Sequence, residues 1–324
     1  MQTTQTLPQL GNTVVIQGKI KEKALEKKSM TYTNKEGVQE TKNVITGTVT
    51  VEVNETEKGR KHNHVVNVFS FEADNKVYKG LETVLAEHQV GDFVKVQATV
   101  DVNDFVNKNG ELTERNKLNG VFFNRIVEED KQIPCAEAKI KMVVQDYLPV
   151  NNPDGTVKEY KVKGFTVGYN GRIIPLHNLV ISAELGQAIA GFYPVGMNSM
   201  GELSFDVNNY LEVGNAPTGQ SQTMAFGRVA SNVTTGGRFV NNLEIIGGLP
   251  AERQFTPEEM QIAQQSRNLA LEEVKRKHAE KQNKLQSQSQ VPPQSTPAFG
   301  TTGAVTNQGN PFGATIMEGD SLPF

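Results

Sequence analysis

Shifting the chain by 105 residues lays one stretch of it on another without a gap, so that Val90-Gly91 meets Val195-Gly196 and Asp101-Val102-Asn103-Asp104-Phe105 meets Asp206-Val207-Asn208-Asn209-Tyr210. An internal repeat of this kind means one supersecondary unit built twice. The same shift pairs Leu81–Leu85 with Gly186–Ala190, each reading as a short helix before the Val-Gly turn. Farther upstream each copy opens on an alternating strand, Val14–Ile20 or Ala138–Val144. A turn-rich loop follows, holding Tyr32 and Gly37 in one copy and Tyr147 and Asp154-Gly155 in the other. Two more strands come next, 43–53 with 65–71 and 160–169 with 172–177; after the helix and a fourth strand, a long loop leads to the last, 118–127 or 238–246.

Strand, strand, strand, helix, strand, strand is the order of a five-stranded OB barrel. A plain β-sandwich lacks the regularly placed helix, and a parallel α/β fold needs a helix after nearly every strand. The expected fold class is therefore mainly β, two tandem OB-like barrels over residues 11–130 and 135–250. A third region follows. Thr256-Pro257-Glu258-Glu259 combines an N-cap threonine, a first-turn proline and acids at the positive end of the dipole, predicting a helix over 256–285 with a thin apolar stripe of Ile262, Leu269, Leu271 and Val274. Residues 286–324 are rich in Gln, Ser, Pro, Gly and Thr, and hold no Lys or Arg but two acids, Glu318 and Asp320. Such a composition cannot bury enough surface to order itself, and a coil of this length spans about 30 Å root-mean-square.

Charge and motif narrow the chemistry. A formal net charge of −3 excludes a protein that holds nucleic acid by bulk positive charge, so any such surface is local. Lys19, Lys21, Lys23, Lys27 and Lys28 form the densest cation cluster, readable as a phosphate-facing strip or as a solvated strand edge. The one cysteine, Cys135, allows no internal disulfide and no multi-cysteine metal site, and is read as inert. His62-Asn63-His64 puts two imidazoles on one side of a strand without the further ligands a metal needs. Asp101 and Asp206 belong to separate copies and cannot make one two-metal centre; no phosphate loop, nucleophile elbow or zinc-protease motif occurs. An enzyme is not expected, nor a cofactor. No apolar run approaches the roughly 20 residues of a spanning helix, so a cytoplasmic location without membrane contact is expected.

The ending Met317-Glu318-Gly319-Asp320-Ser321-Leu322-Pro323-Phe324 resembles the acidic tip of bacterial-type single-stranded DNA-binding proteins, which closes with several Asp, an aliphatic residue and Pro-Phe. The opening strand Val14–Ile20 is loosely similar to that family's as well. The chain departs from the pattern in having two barrels and only two tip acids. The resemblance implies unpaired DNA as a partner, and replication, recombination or repair proteins captured by Glu318, Asp320, Leu322, Pro323 and Phe324. It also implies a possible homodimer offering four barrels, and a bacteriophage origin acting in the bacterial cytoplasm. A virion scaffold with no nucleic-acid affinity and an RNA-binding or recombination-mediator barrel protein stand as alternatives.

An OB barrel binds a strand across its second and third strands, between the loops joining strands one to two and four to five. Sequence-tolerant binding needs rings for bases and cations for phosphates. On the fourth strands, Val94, Val96, Ala98, Val100 and Val102 alternate with a wetter face ending in Phe105, and Leu203, Phe205 and Val207 with one ending in Tyr210. Phe105 and Tyr210 are thus one candidate stacking pair, and Tyr32 and Tyr147 in the first loops a second. Phe165 and Tyr169 share a parity with Lys161 and Lys163, unless Gly164 carries a bulge. With Lys19 and Lys21 these are the expected strand-binding residues. Phe69 and Phe71 also share one face, and are read as core.

Overall fold

The computed structural model describes residues 6–33, 37–55, 59–72, 76–213 and 237–288, so the tip from Glu318 to Phe324 lies outside the described residues. The first repeat supplies β1 (Asn12–Thr33), β2 (Gln39–Glu55), β3 (Arg60–Phe71), α1 (Lys76–Glu87) and β4 (Phe93–Val102). A small hairpin, β5 (Phe105–Val106) with β6 (Leu112–Thr113), then precedes β7 (Asn116–Arg125). Pairing runs β1 to β2 to β3, β3 parallel to β7, β7 to β4 and β4 back to β1, which closes a five-stranded barrel. Its interior is the alternating apolar set Val94, Val96, Ala98, Val100 and Val102 with Val14, Ile16, Val49, Val51 and Val66. Gly47 lets β1 and β2 curl together: its φ is +137°, and a Cβ there would lie 1.9 Å from the Ala24 carbonyl oxygen.

The second repeat builds the same closure from β8 (Cys135–Asn151), β9 (Val157–Val167), β10 (Ile173–Pro175), β11 (Leu179–Ser182), α2 (Ala183–Phe192), β12 (Ser199–Val213) and β13 (Gly237–Gly248). Here the third strand is split in two, β10 and β11 both lying on β9, and β11 runs parallel to β13. The chain is thus mainly β, with two OB-like barrels. Both lie in one compact unit, Met1–Glu280.

The barrels are joined strand one to strand one. Asn12–Gln17 of β1 pairs antiparallel with Cys135–Ile140 of β8 while still pairing with β4, so a single sheet passes through both barrels. Val14 opposes Ala98 and Ile140 opposes Leu203, and Ala98 and Leu203 are equivalent in the repeat. Val14 therefore matches Ile140, two residues beyond the Ala138 that sequence alignment gives. The even slip keeps each residue on its expected face. An approximate twofold axis then passes between Thr13 and Lys139, which pair across the seam. Each barrel also rests on the other's third strand: Asn116 Nδ2 donates to the Pro175 carbonyl at 2.8 Å, and Asn209 Nδ2 to the Asn63 carbonyl at 2.6 Å. Cys135 sits at the seam, where burial pushes its thiol pKa up against the hydrogen bond Gln17 Nε2 donates to its sulfur.

After β14 (Arg253–Gln254) comes α3 (Pro257–Gln288), opened by a reciprocal capping box. The Glu259 amide donates to Thr256 Oγ1 at 3.2 Å, and the Thr256 amide to Glu259 Oε2 at 2.9 Å. The first turns of α3 cover the outer face of the second barrel. There Met260, Ile262 and Ala263 join Leu7, Leu10, Val143, Phe165, Val167, Ile173, Met200 and Phe255 in a second apolar cluster.

At the far end of the first barrel His62 and His64 point inward from β3, each 1% exposed, with ring centroids 5.6 Å apart. Burial, and then the charge of His62, hold His64 down to a pKa of about 3. An unfolded histidine protonates near 6.5, so the unfolded chain takes up a proton that the folded one refuses as pH falls from there toward 3. Stability should thus drop by about 2–3 kcal/mol from this residue between pH 7 and pH 4.5. Urea unfolding of the wild type and His64→Leu at both pH values measures it: the variant should lose that share of the slope.

Candidate nucleic-acid interface

The outer face of β1, β2 and β3 is built row by row. Lys19, Glu52 and Asn63 lie across one row, Ala24, Thr48 and Asn67 across another, Glu26, Thr46 and Phe69 across a third, and Lys28, Val44 and Phe71 across a fourth. Val66 and Val68 point into the barrel, which turns Val65, Asn67, Phe69 and Phe71 outward. Phe69 is 54% exposed, and Phe71 half-buried beneath it at 5.1 Å, edge to face. Phe71 in turn touches Tyr32 at 4.9 Å. The reading of Phe69 and Phe71 as core is therefore corrected: they cover the outside of the barrel, on the face where OB folds receive a strand. The signal was present in Asn67, a polar residue two positions before Phe69 and on its side of the strand.

Tyr32 belongs to β1 rather than to a loop, near the end of a long two-stranded arm in which it pairs with Glu40. Its hydroxyl donates to Glu40 Oε2 at 2.8 Å, and Lys42 Nζ lies 5.4 Å from its ring centre and 3.1 Å from the same Glu40 oxygen. The Tyr32 oxygen, and then Glu40, hold the Lys42 ammonium above its ordinary pKa. Three connected rings with a permanent cation at one end form a platform for stacked bases. The lysine cluster of β1 divides around it. Lys19 is exposed, Lys21 donates to Asn63 Oδ1 at 2.9 Å, and Lys61 pairs with Glu52. Lys23 instead donates to the Val84, Leu85 and His88 carbonyls, capping the end of α1, and Lys27 pairs with Glu82.

The remaining candidates divide between surface and interior. Phe105 is half-buried in the β5–β6 hairpin, with the Arg115 guanidinium 5.8 Å from its ring centre. Tyr169 is 76% exposed. Lys161 and Lys163 are exposed on the outer face of β9, Lys161 opposite Leu148 and Val180 and Lys163 opposite Asp146, with no ion-pair partner among the described residues. Three expectations fail. Phe165 keeps its parity with Lys163, the bulge falling at Gln145 of β8, but it is 5% exposed and meets Phe255 edge to face at 5.9 Å. The outer face at that point is covered by residues 7–10 and α3 rather than by water. Tyr210 is 8% exposed, held between the His62 ring at 5.0 Å and the Arg60 guanidinium at 4.7 Å. The first barrel covers it, which no pattern within one repeat could reveal. Tyr147 lies in β8 with its ring packed on the core and its hydroxyl pKa pushed up by burial. Phe165, Tyr210 and Tyr147 are thus withdrawn from stacking, and Tyr169 is the exposed ring among the expected residues of the second barrel.

No group of three or more histidine, cysteine, aspartate or glutamate side chains suited to a metal occurs among the described residues. No curated protein matches the chain. Among solved structures it is similar to the wild-type single-stranded DNA binding protein from Thermus aquaticus, at 12% identity and a TM-score of 0.46, over 77% of this chain and 97% of that one. A deletion mutant of the same protein matches at 13% identity and a TM-score of 0.42, over 78% and 99%. One protein-family model, described as YorF, matches residues 11–277.

Proposed function

The chain belongs to the YorF family, and we propose that it is a non-enzymatic single-stranded DNA-binding protein whose barrels hold unpaired strand by stacking and phosphate contacts. The observation that carries this reading is the connected row of Phe69, Phe71 and Tyr32 beside Lys42, on the outer face of the second and third strands of a closed barrel. Phe69 is not a singly scattered surface ring, which would need no explanation, but is joined to Phe71 and Tyr32 on a face that also carries Thr46 and Asn67. The tip, with Glu318, Asp320, Leu322, Pro323 and Phe324, supports a second role, capture of replication, recombination or repair proteins by a basic pocket with an apolar floor.

With no tryptophan and seven tyrosines, the chain reports binding through tyrosine emission. Titration with oligothymidylate at low salt should quench it, and affinity should fall as salt rises because phosphate contacts release counterions. No response at low salt would reject the function. An oligoribonucleotide that competes equally with its deoxy counterpart would reassign the partner to RNA. Removing residues 317–324 should leave strand binding intact or tighter while abolishing partner capture; partner binding that survives the truncation removes the second role.

A further inference from the structure

We propose that the cleft between the two barrels at Tyr169 is a separate nucleotide subsite, in which the Tyr169 ring stacks on one base of an unpaired strand and the Arg172 guanidinium takes a neighbouring phosphate. The proposal rests on the single-strand reading and deepens it, because this cleft uses residues of both barrels and joins the Phe69 face through Asn67, Asn119 and Asp101. Asp101 of β4 lines one side, and Tyr169, Asn170, Arg172 and Ile174 of the second barrel line the other, around a volume of about 370 Å³. That volume falls within the roughly 300–1,000 Å³ of ordinary small-ligand sites.

The Tyr169 ring is held out deliberately. It opens the turn between β9 and β10, in which Asn170 and Gly171 both adopt left-handed backbone, with φ of +57° and +73°. A non-glycine residue in that region costs of order 1 kcal/mol and persists only where its surroundings fix it. Here they do: a Cβ on Gly171 would meet Thr6 and Leu7 at 3.2 and 3.3 Å, and Ser266 of α3 donates to the Gly171 carbonyl at 3.4 Å. Two segments thus fix the turn while leaving the ring 76% exposed, the pre-organisation a stacking surface needs. Arg172 follows at once. Its Nη1 donates to Asp101 at 3.2 Å, Asp101 also accepting from Asn119 Nδ2 at 2.9 Å, while Nη2 and Nε have no partner among the described residues. One edge of the guanidinium is anchored to the first barrel and the other is left to a phosphate.

Oligothymidylate titrations of the full chain, with Tyr169→Ala, Tyr169→Phe and Arg172→Gln beside the wild type, test this. Tyr169→Ala should weaken binding of a long oligonucleotide roughly 5- to 150-fold, whereas Tyr169→Phe, which keeps the flat ring, should bind like the wild type. Arg172→Gln should lower the salt slope by about one phosphate contact. Bromodeoxyuridine-substituted oligonucleotide should photo-cross-link to the peptide holding Tyr169. A wild type that binds, with Tyr169→Ala unchanged and cross-links confined to the Phe69 face, overturns the subsite and leaves the proposed function standing. A wild type that fails to bind overturns both.

Discussion

Phe69→Ala should weaken oligothymidylate binding roughly 5- to 150-fold, the worth of one base stacked on an aromatic side chain. The substitution removes a ring that is 54% exposed, so its effect on stability should be small and the loss should appear in affinity. Phe69→Trp should bind at least as tightly as the wild type, because indole is the stronger stacking surface. Tyr210→Ala is the informative contrast. That ring is buried between His62 and Arg60, so its loss should lower the unfolding midpoint and leave the affinity of the folded protein near the wild-type value. Fluorescence titration and thermal unfolding of both variants separate the two roles. Equal affinity in Phe69→Ala and the wild type would remove the outer face of β3 from the interface.

Arg267→Ala should cost about 3–5 kcal/mol of stability, because it strands a carboxylate that the fold has buried for it. Arg267 extends from α3 to the loops flanking the β5–β6 hairpin of the first barrel. Its Nη1 and Nη2 reach the two Asp104 oxygens at 2.6 and 2.9 Å, and Nη2 also contacts Glu114. The side chains of Arg267 and Asp104 are only 8% and 4% exposed. Burial opposes the arginine's charge, yet the two carboxylates outweigh it and raise its pKa, so the guanidinium stays charged where it is buried. Removing the cation leaves Asp104 desolvated and alone. The double variant Asp104→Asn with Arg267→Met should recover part of the loss, since a neutral pair carries no stranded charge. Denaturant unfolding of Asp104→Asn, Arg267→Met and the double gives the coupling. Independent, additive losses would show that the pair does not anchor α3 to the first barrel.

The barrel architecture was legible because its signals are local and repeated. Alternation of valines along 94–102 fixes an inward face, and the Val-Gly turn and the Asp-Val-Asn stretch fix where the fourth strand begins and ends. The capping box of α3 could likewise be read from four consecutive residues. Burial imposed from a distance was not legible. Phe165 obeys its parity and is still covered, because residues near the N-terminus and a helix about 95 residues downstream lie over it. Tyr210 obeys its parity too and is sealed by the other repeat. The opposite error has the same source: Phe69 and Phe71 look like core because phenylalanine is most often buried, and only the placement of Asn67 says otherwise. Lys23, counted among possible phosphate ligands, was claimed by the carbonyls closing α1, some 60 residues away in sequence.

The seam between β1 and β8 has an evolutionary reading. Two identical subunits joined through their first strands would change in tandem, every substitution appearing on both sides of the axis. Fusing the halves into one polypeptide lifts that constraint: the row of Phe69, Phe71 and Tyr32 can arise on one half while the equivalent face of the other carries Lys161 and Lys163, and neither alteration is mirrored. Specialisation of the two halves is thus available to this chain by point mutation alone.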